Sequence, residues 1–385
     1  MRVISGLILS LGMVVAIEAG VPVGTQAIYR GTLDEDRTSD ATATAKAFTV
    51  TLLCSESDES GGSFYWLVKE NGRGSWHWTE RFGETKVGEQ GTSRPAASGP
   101  SVVYEHESGK SAVPLPPPLF ITEGGLAAGK TWTNAKRERF QVIRATKLGE
   151  REVWEVAVAD PVGRSRKYWV DCKSSLLVAY QSRVFMNMGT EYVLDLKLEE
   201  SKMLSPTHSE AHRKGFQALV EMRSKLDRKP RETKPDLTPS QLKIIQAALP
   251  NLKTAAAEGP LTKLIALAGQ DVFRQSRRET DVSKLAEVFE GKPAPTFELD
   301  KLGVGKLTSK ELKGRVTVLH FWEYRDRPLV EPYGQVGYLD FLHNKRGEEG
   351  INILGVAVNG DLGQPDGRAK AIRGVRKLKA FMNLG

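Results

Sequence analysis

Between residues 47 and 198 the chain alternates short apolar-rich runs with clusters of turn-forming residues. Ala47-Phe48-Thr49-Val50-Thr51-Leu52, Ser63-Phe64-Tyr65-Trp66-Leu67-Val68 and Glu152-Val153-Trp154-Glu155-Val156-Ala157-Val158 are dense in β-branched and aromatic side chains. Glu59-Ser60-Gly61-Gly62, Asn71-Gly72-Arg73-Gly74 and Asp160-Pro161-Val162-Gly163 punctuate them, as strands and turns require. Glu191-Tyr192-Val193-Leu194-Asp195-Leu196-Lys197-Leu198 alternates apolar and polar positions, the mark of an antiparallel sheet with one wet face. An antiparallel β-rich domain is therefore expected over residues 21–203. All but one of the seven tryptophans fall in it, at Trp66, Trp76, Trp78, Trp132, Trp154 and Trp169. They read as large core fillers of a curved sheet, the other use of such rings being a sugar or lipid site.

The period changes over residues 206–290, which read as a helical spacer. Residues 209–227 place Phe216, Leu219, Val220 and Leu226 on one side of a charged amphipathic helix. Residues 228–235, with two prolines and mostly charged side chains, read as a mobile linker. Thr238-Pro239-Ser240-Gln241 combines a capping Thr, Pro at the first helical position and Gln three residues on. Two further helical stretches are expected at 261–277 and 282–290, the last ended by Gly291. At the other end of the chain, Met1-Arg2, the uncharged run to Ile17 and the small residues Ala19-Gly20 read as a secretory signal peptide over 1–19. An uncleaved anchor is the alternative, and would be the protein's one membrane attachment. The mature protein is thus expected in the periplasm or cell envelope.

Composition narrows the picture only modestly. The net charge of +8 over 385 residues allows weak attraction to anionic surfaces and does not mark a nucleic-acid reader. The two cysteines, Cys54 and Cys172, cannot build a disulfide framework or a four-cysteine zinc site. After export they form either one bridge or two separate buried thiols. Gly124-Gly125-Leu126-Ala127-Ala128-Gly129-Lys130-Thr131 matches the phosphate-loop letters. The chemistry needs a strand before it and a helix after it, whereas residues 132–143 read as a strand, so a glycine turn is expected and no nucleotide. His208 and His212, four apart, would face one side of a helix as zinc ligands do. No further ligand accompanies them, and a solvated helix end is the reading. No metal and no cofactor is expected.

From Gly291 the chain changes again. Gly291-Lys292-Pro293-Ala294-Pro295-Thr296-Phe297 precedes an apolar run, Arg315-Val316-Thr317-Val318-Leu319-His320-Phe321-Trp322, and a second, Ile351-Asn352-Ile353-Leu354-Gly355-Val356-Ala357-Val358. Two such runs separated by a helix-length segment predict parallel strands. The opening and first strand resemble the thioredoxin-like redoxin family, in particular TlpA-type thiol-disulfide oxidoreductases and the alkyl hydroperoxide reductase/thiol-specific antioxidant group. The resemblance implies an incomplete thioredoxin-like α/β domain over 291–385, since the family continues past this point through a cis-proline loop, two strands and a helix. The fold class expected is thus multidomain α+β. In the family the strand leads to two reactive cysteines, the first activated at a helix N-terminus. Here those positions carry Asp326 and Leu329. With both sulfurs absent, the resemblance implies a silent redoxin that only binds, with Trp322, Arg325, Asp326, Arg327 and Pro328 as candidate contacts for an unknown protein. Two alternatives are an active envelope oxidoreductase using Cys54 or Cys172, and a β-domain carrier of a lipophilic ligand.

Overall fold

Thirteen strands arise from the period-two segments: β1 (Thr25–Glu35), β2 (Lys46–Asp58), β3 (Gly61–Asn71), β4 (Phe82–Val87), β5 (Ser93–Arg94), β6 (Ser101–His106), β7 (Gly109–Pro114), β8 (Thr131–Thr133), β9 (Arg139–Leu148), β10 (Arg151–Ala159), β11 (Ser165–Asp171), β12 (Leu177–Met186) and β13 (Thr190–Met203). The computed structural model describes residues 20–35, 46–58, 61–88, 93–94, 99–106, 109–162, 164–301, 305–322, 343–344 and 350–382. Eleven of these strands form one antiparallel sheet in the order β5-β4-β3-β2-β1-β13-β12-β11-β10-β9-β8, and β6 pairs with β7 alone. Two meanders therefore meet where β1 lies against β13. Side chains close the turns between strands. Asp160 Oδ1 accepts from the backbone N–H of Val162 and Arg164 at 3.0 and 2.8 Å, and Asp171 Oδ1 from Lys173 and Ser174 at 3.0 and 2.9 Å, as Asx turns do.

Alternation sends Tyr29, Phe48, Val50, Trp66, Val142, Val156, Tyr168 and Leu194 to one inner face, where they form a single core. The β6–β7 hairpin and the segment after it close this face with Val102, Tyr104, Val113, Leu115, Leu119 and Phe120. The remaining gap, lined by Tyr29, Leu52, Leu115, Pro116, Pro118 and Leu177 among others, measures about 10 Å³. That is room for roughly one water. Trp66, Trp76 and Trp78 are buried, and Trp132 and Trp154 pack partly buried against the inner core.

The outer face explains why residues 64–68 are apolar without interruption. Leu53, Tyr65, Leu67, Trp78 and Phe82 point away from the inner core and join a second one with three helices. These are α1 (Pro206–Ser224), α2 (Pro239–Ala255) and α3 (Thr262–Phe289). They contribute Phe216, Leu219, Ile245, Leu252, Ile265 and Val272. The Tyr65 and Phe216 rings stack at 5.5 Å and 7°. Each of these fully buried side chains contributes about 1.5–3 kcal/mol relative to exposure, so the helices are held by the sheet, whereas the sequence sets them apart as a spacer. Elsewhere the outer face is wet, with cross-strand ion pairs such as Arg144–Glu155 at 3.1 Å.

Helix starts follow the expected chemistry. Ser205 Oγ accepts from His208 N–H with Pro206 next in line. Thr238 and Gln241 form the reciprocal capping box. The two stretches expected at 261–277 and 282–290 are one helix, because no glycine or proline interrupts Arg278-Glu279-Thr280-Asp281.

The chain divides into two units, Met1–Glu279 and Thr280–Gly385, and is an α+β protein. In the second, β14 (Glu298–Asp300) pairs antiparallel with β15 (Lys306–Thr308), β16 (Thr317–Trp322) pairs parallel with β17 (Asn352–Ala357), and α4 spans Pro365–Met382. These are two separate two-stranded sheets. The apolar runs that the sequence marks as buried strands are half-buried or exposed here. Val316, Phe321 and Val358 are 66, 62 and 55% exposed, and Ala371 is the one buried hydrophobic side chain of this unit among the described residues.

Candidate functional site

A concavity with apolar walls lies where β3 and β4 meet the end of α1. It is a cleft of about 470 Å³, lined by Trp66, Gly83, Val220 and Pro230 on its apolar side and by Glu80, Arg223, Arg228 and Arg231 among its polar groups. That volume lies within the ordinary range for a small-molecule site. Gly83 is required by Trp66, its partner across the strands. A Cβ at Gly83 would stand 2.6 Å from Trp66 Cζ2, so any other residue displaces the indole that lines the cleft.

Glu80 organises the polar side. It ends a 3₁₀ turn (Trp78–Glu80), and its side chain is 3% exposed. One carboxylate oxygen, Oε2, accepts from Arg223 Nη2 at 2.8 Å and from the backbone N–H of Arg231 at 2.9 Å. Arg223 also donates Nη1 to Phe82 O at 2.8 Å and lays its guanidinium over the Phe82 ring at 5.9 Å. Burial pulls the Arg223 pKa down from its ordinary value, and the Glu80 charge opposes that fall. The segment 228–235 expected to be a mobile linker is pinned here. Arg228 donates Nη2 to Lys234 O at 2.6 Å and Nη1 to Asp236 O at 3.3 Å. Asp227 and Arg231 hold left-handed backbone at φ 48° and 59°, a conformation that costs a non-glycine residue free energy and persists where the surroundings dictate it.

The other expected sites fare differently. Cys54 and Cys172 are two free thiols, not a bridge. Cys54 lies in β2 and Cys172 follows β11, with β1, β13 and β12 between them. Four strand steps of about 4.8 Å put them well beyond the ~7 Å that a disulfide tolerates. Burial pushes the Cys54 thiol up to about 12, and its Sγ donates to Val21 O and Glu56 O at 3.4 Å. Burial and the neighbouring Asp171 and Glu152 carboxylates raise Cys172 as well. Neither is poised as a thiolate.

Lys130 of the phosphate-loop look-alike turns back onto its own loop, donating Nζ to Glu123 O and Gly125 O at 2.5 and 2.6 Å, and strand β8 follows it. His208 Nδ1 lies 2.7 Å from Ser205 Oγ, and His212 is partly buried under the α2–α3 turn at Gly259. Among the described residues no group of three His, Cys, Asp or Glu side chains could hold a metal. Trp322 ends β16 opposite Ala357. Arg325, Asp326, Arg327, Pro328 and Leu329 lie outside the described residues, as does the segment 1–19 that was expected to be a signal peptide. Among the described residues no helix is long and apolar enough to cross a membrane.

A row of three groups imitates a hydrolytic relay. Thr79 Oγ1 lies 3.0 Å from His77 Nδ1, and His77 Nε2 lies 2.8 Å from Asp271 Oδ2. Thr79 is wholly buried, so no substrate reaches its hydroxyl, and the row serves to tie α3 to the sheet.

Sequence spacing gave no access to the cleft. Glu80 and Arg223 stand 143 residues apart, and nothing local in either neighbourhood names the other. The one available signal was the density of arginine and proline in 228–235, which reads equally as a linker.

No family model and no curated protein matches this chain. Solved structures to which it is similar include a DUF1329 family protein from Desulfovibrio piger, 7% identical over 49% of this chain and 90% of that one, at a TM-score of 0.20. Another is a β-barrel-like protein of domain of unknown function DUF1849 from Brucella abortus, 11% identical over 48% of this chain and 98% of that one, at a TM-score of 0.22. Among the described residues, 280–385 hold two separate two-stranded sheets whose apolar side chains stay largely exposed, which corrects the expected thioredoxin-like domain and the thiol-disulfide or peroxide chemistry that came with it.

Proposed function

We propose that this chain is a non-catalytic carrier of a small lipophilic molecule, working in the cell envelope to which the leader read in residues 1–19 would deliver it. The observation that carries the reading is the cleft between β3–β4 and α1: open, about 470 Å³, and walled by Trp66, Val220 and Pro230. The inner face of the sheet, the other apolar surface of the right size, is filled by the chain's own Leu115, Leu119 and Phe120. An apolar molecule entering the cleft gains about 25 cal/mol for each Å² of apolar surface that leaves water.

The test is calorimetric titration of the mature full-length chain with decanol and with decanoate. Saturable binding of at least one, weakened in a Val220→Phe variant that fills the cleft yet melts normally, is expected. Absence of saturable binding for both ligands overturns the carrier reading.

A further inference from the structure

Two neighbouring hairpin turns leave apolar side chains in water at one end of the large sheet. Val162, in the β10–β11 turn, is 74% exposed, and Met188, in the β12–β13 turn, is 96% exposed. Phe185, just before that second turn, is 42% exposed and shares an open concavity with Val162 and Arg164. Both turns stand at the same end, because β10, β11, β12 and β13 run antiparallel side by side. Single exposed hydrophobics are ordinary, whereas a cluster of them marks a contact surface. Met188 adds a second observation: it holds left-handed backbone at φ 58°, where glycine or asparagine is the usual occupant. At that exposure the fold gains no packing from a methionine and bears the cost of its backbone.

The surroundings are basic. Register puts Arg139 beside Ala159 and Ala159 beside Ser165, so the turn before β9, with Lys136 and Arg137, stands at this end as well. Arg164 lays its guanidinium over the Phe185 ring at 5.2 Å. Arg166 and Arg183 are paired with Glu138 and Glu191 at 2.7 and 2.6 Å. Lys136, Arg137, Arg139 and Arg164 are exposed and, among the described residues, outside any ion pair. Of the other acids nearby, Asp160 turns an oxygen onto its own loop and Glu35 stands beyond β13. This end therefore carries an excess of positive charge.

We infer that this end of the sheet docks on an anionic lipid bilayer, with Val162 and Met188 entering the headgroup boundary while Arg137, Arg139 and Arg164 meet lipid phosphates. The two chemistries occur together there, as interfacial binding requires. A bilayer fits better than a protein partner, because separate turn tips offer no packed central patch of the kind that anchors protein interfaces. The attachment is distinct from any leader and does not depend on what the cleft holds.

The experiment is vesicle flotation of the chain beginning at Gly20, so that the apolar run before it plays no part. Vesicles of phosphatidylcholine alone are compared with vesicles of phosphatidylcholine and phosphatidylglycerol in equal parts. Flotation is expected with the anionic vesicles only, and it should weaken as salt is raised. Val162→Ser/Met188→Ser should weaken it about tenfold. Arg137→Gln/Arg164→Gln should weaken it about twentyfold, near fivefold for each charge removed. Lys147→Gln/Lys173→Gln, which removes the same charge from exposed positions at the opposite end of these strands, should leave it unchanged. Thermal unfolding checks that each variant is folded. No flotation with anionic vesicles, equal flotation with neutral ones, or a loss as large in the Lys147/Lys173 variant overturns the inference. So does flotation that either turn variant leaves intact. Self-association without lipid, abolished by Val162→Ser/Met188→Ser, would assign the surface to a second copy of the chain and likewise overturn it.

Discussion

His77 Nε2 donates to Asp271 Oδ2 at 2.8 Å, joining the 3₁₀ turn before β4 to a helix 194 residues later. The same carboxylate accepts from Trp78 Nε1 at 2.9 Å and from Gln275 Nε2 at 3.0 Å. Burial by itself would raise the Asp271 pKa, but these donors together hold it below the usual carboxylate range. A depressed carboxyl stabilises the fold above its unfolded pKa of about 3.9, and that stability drains as pH falls through the folded value.

Asp271→Asn should therefore lower stability at neutral pH by about 1–3 kcal/mol, the cost of charged hydrogen bonds lost at a half-buried site. It should also flatten the acid limb below about pH 4. Urea unfolding between pH 3 and 7 reads both effects. An unchanged acid limb would show that the carboxylate does not hold α3 to the sheet.

His212 gives a dependence of the same sign in a separate, higher window. Burial, with the neighbouring His208 and Lys202 charges, lowers its pKa, and its Nδ1 is buried without a partner. The folded protein keeps this imidazole neutral while the unfolded chain protonates near 6.5, so stability is full above that value and declines as pH drops below it. His212→Gln should remove that decline between about pH 6.5 and 5 without touching the Asp271 limb. Gly259, at φ 111° beneath the ring, admits no Cβ: one would sit 2.3 Å from His212 Nε2. Gly259→Ala is expected to cost about 1–3 kcal/mol. Thermal melts of both variants at two pH values decide the matter.

The two thiols permit a chemical check. With Cys54 buried and raised to about 12, alkylation of the native chain at pH 8 should label Cys172 slowly and Cys54 only on unfolding. Intact mass under non-reducing conditions should show two free sulfhydryls. A mass two protons lower would contradict the three-strand separation of β2 from β11.

What was legible in the sequence was what local chemistry decides. The Thr238–Gln241 capping box, the Asp160 turn and the strand runs are each written within a few residues, and each appears in the structure. The continuous apolar stretch at 64–68 was equally visible, but its meaning depended on α1 returning to cover Tyr65 and Leu67, which no local pattern records. The separation of Cys54 from Cys172 followed from strand order, and the cleft from a contact between Glu80 and Arg223. The redoxin reading failed for a related reason: a short opening motif and one strand constrain a few residues, not the sheet to which they belong.

Lys46 and Glu70 form a buried ion pair in the first unit. Their side chains are wholly buried, with Nζ and Oε1 3.2 Å apart. Lys46 donates further to Gly74 O at 2.7 Å, and Glu70 accepts from Trp76 N–H and Val103 N–H, both at 2.8 Å. The pair thus fastens the turn after β3 and the start of β6 to β2. Burial pulls the Lys46 ammonium below its ordinary pKa more than Glu70 holds it up. Removing one partner leaves the other charge buried, so Glu70→Leu or Lys46→Met should each cost about 3–5 kcal/mol. The Lys46→Met/Glu70→Leu double variant leaves no orphan charge and should be less destabilised than the two single losses summed. A double-mutant cycle in urea measures this coupling, and strict additivity would mean that the two side chains act independently of each other.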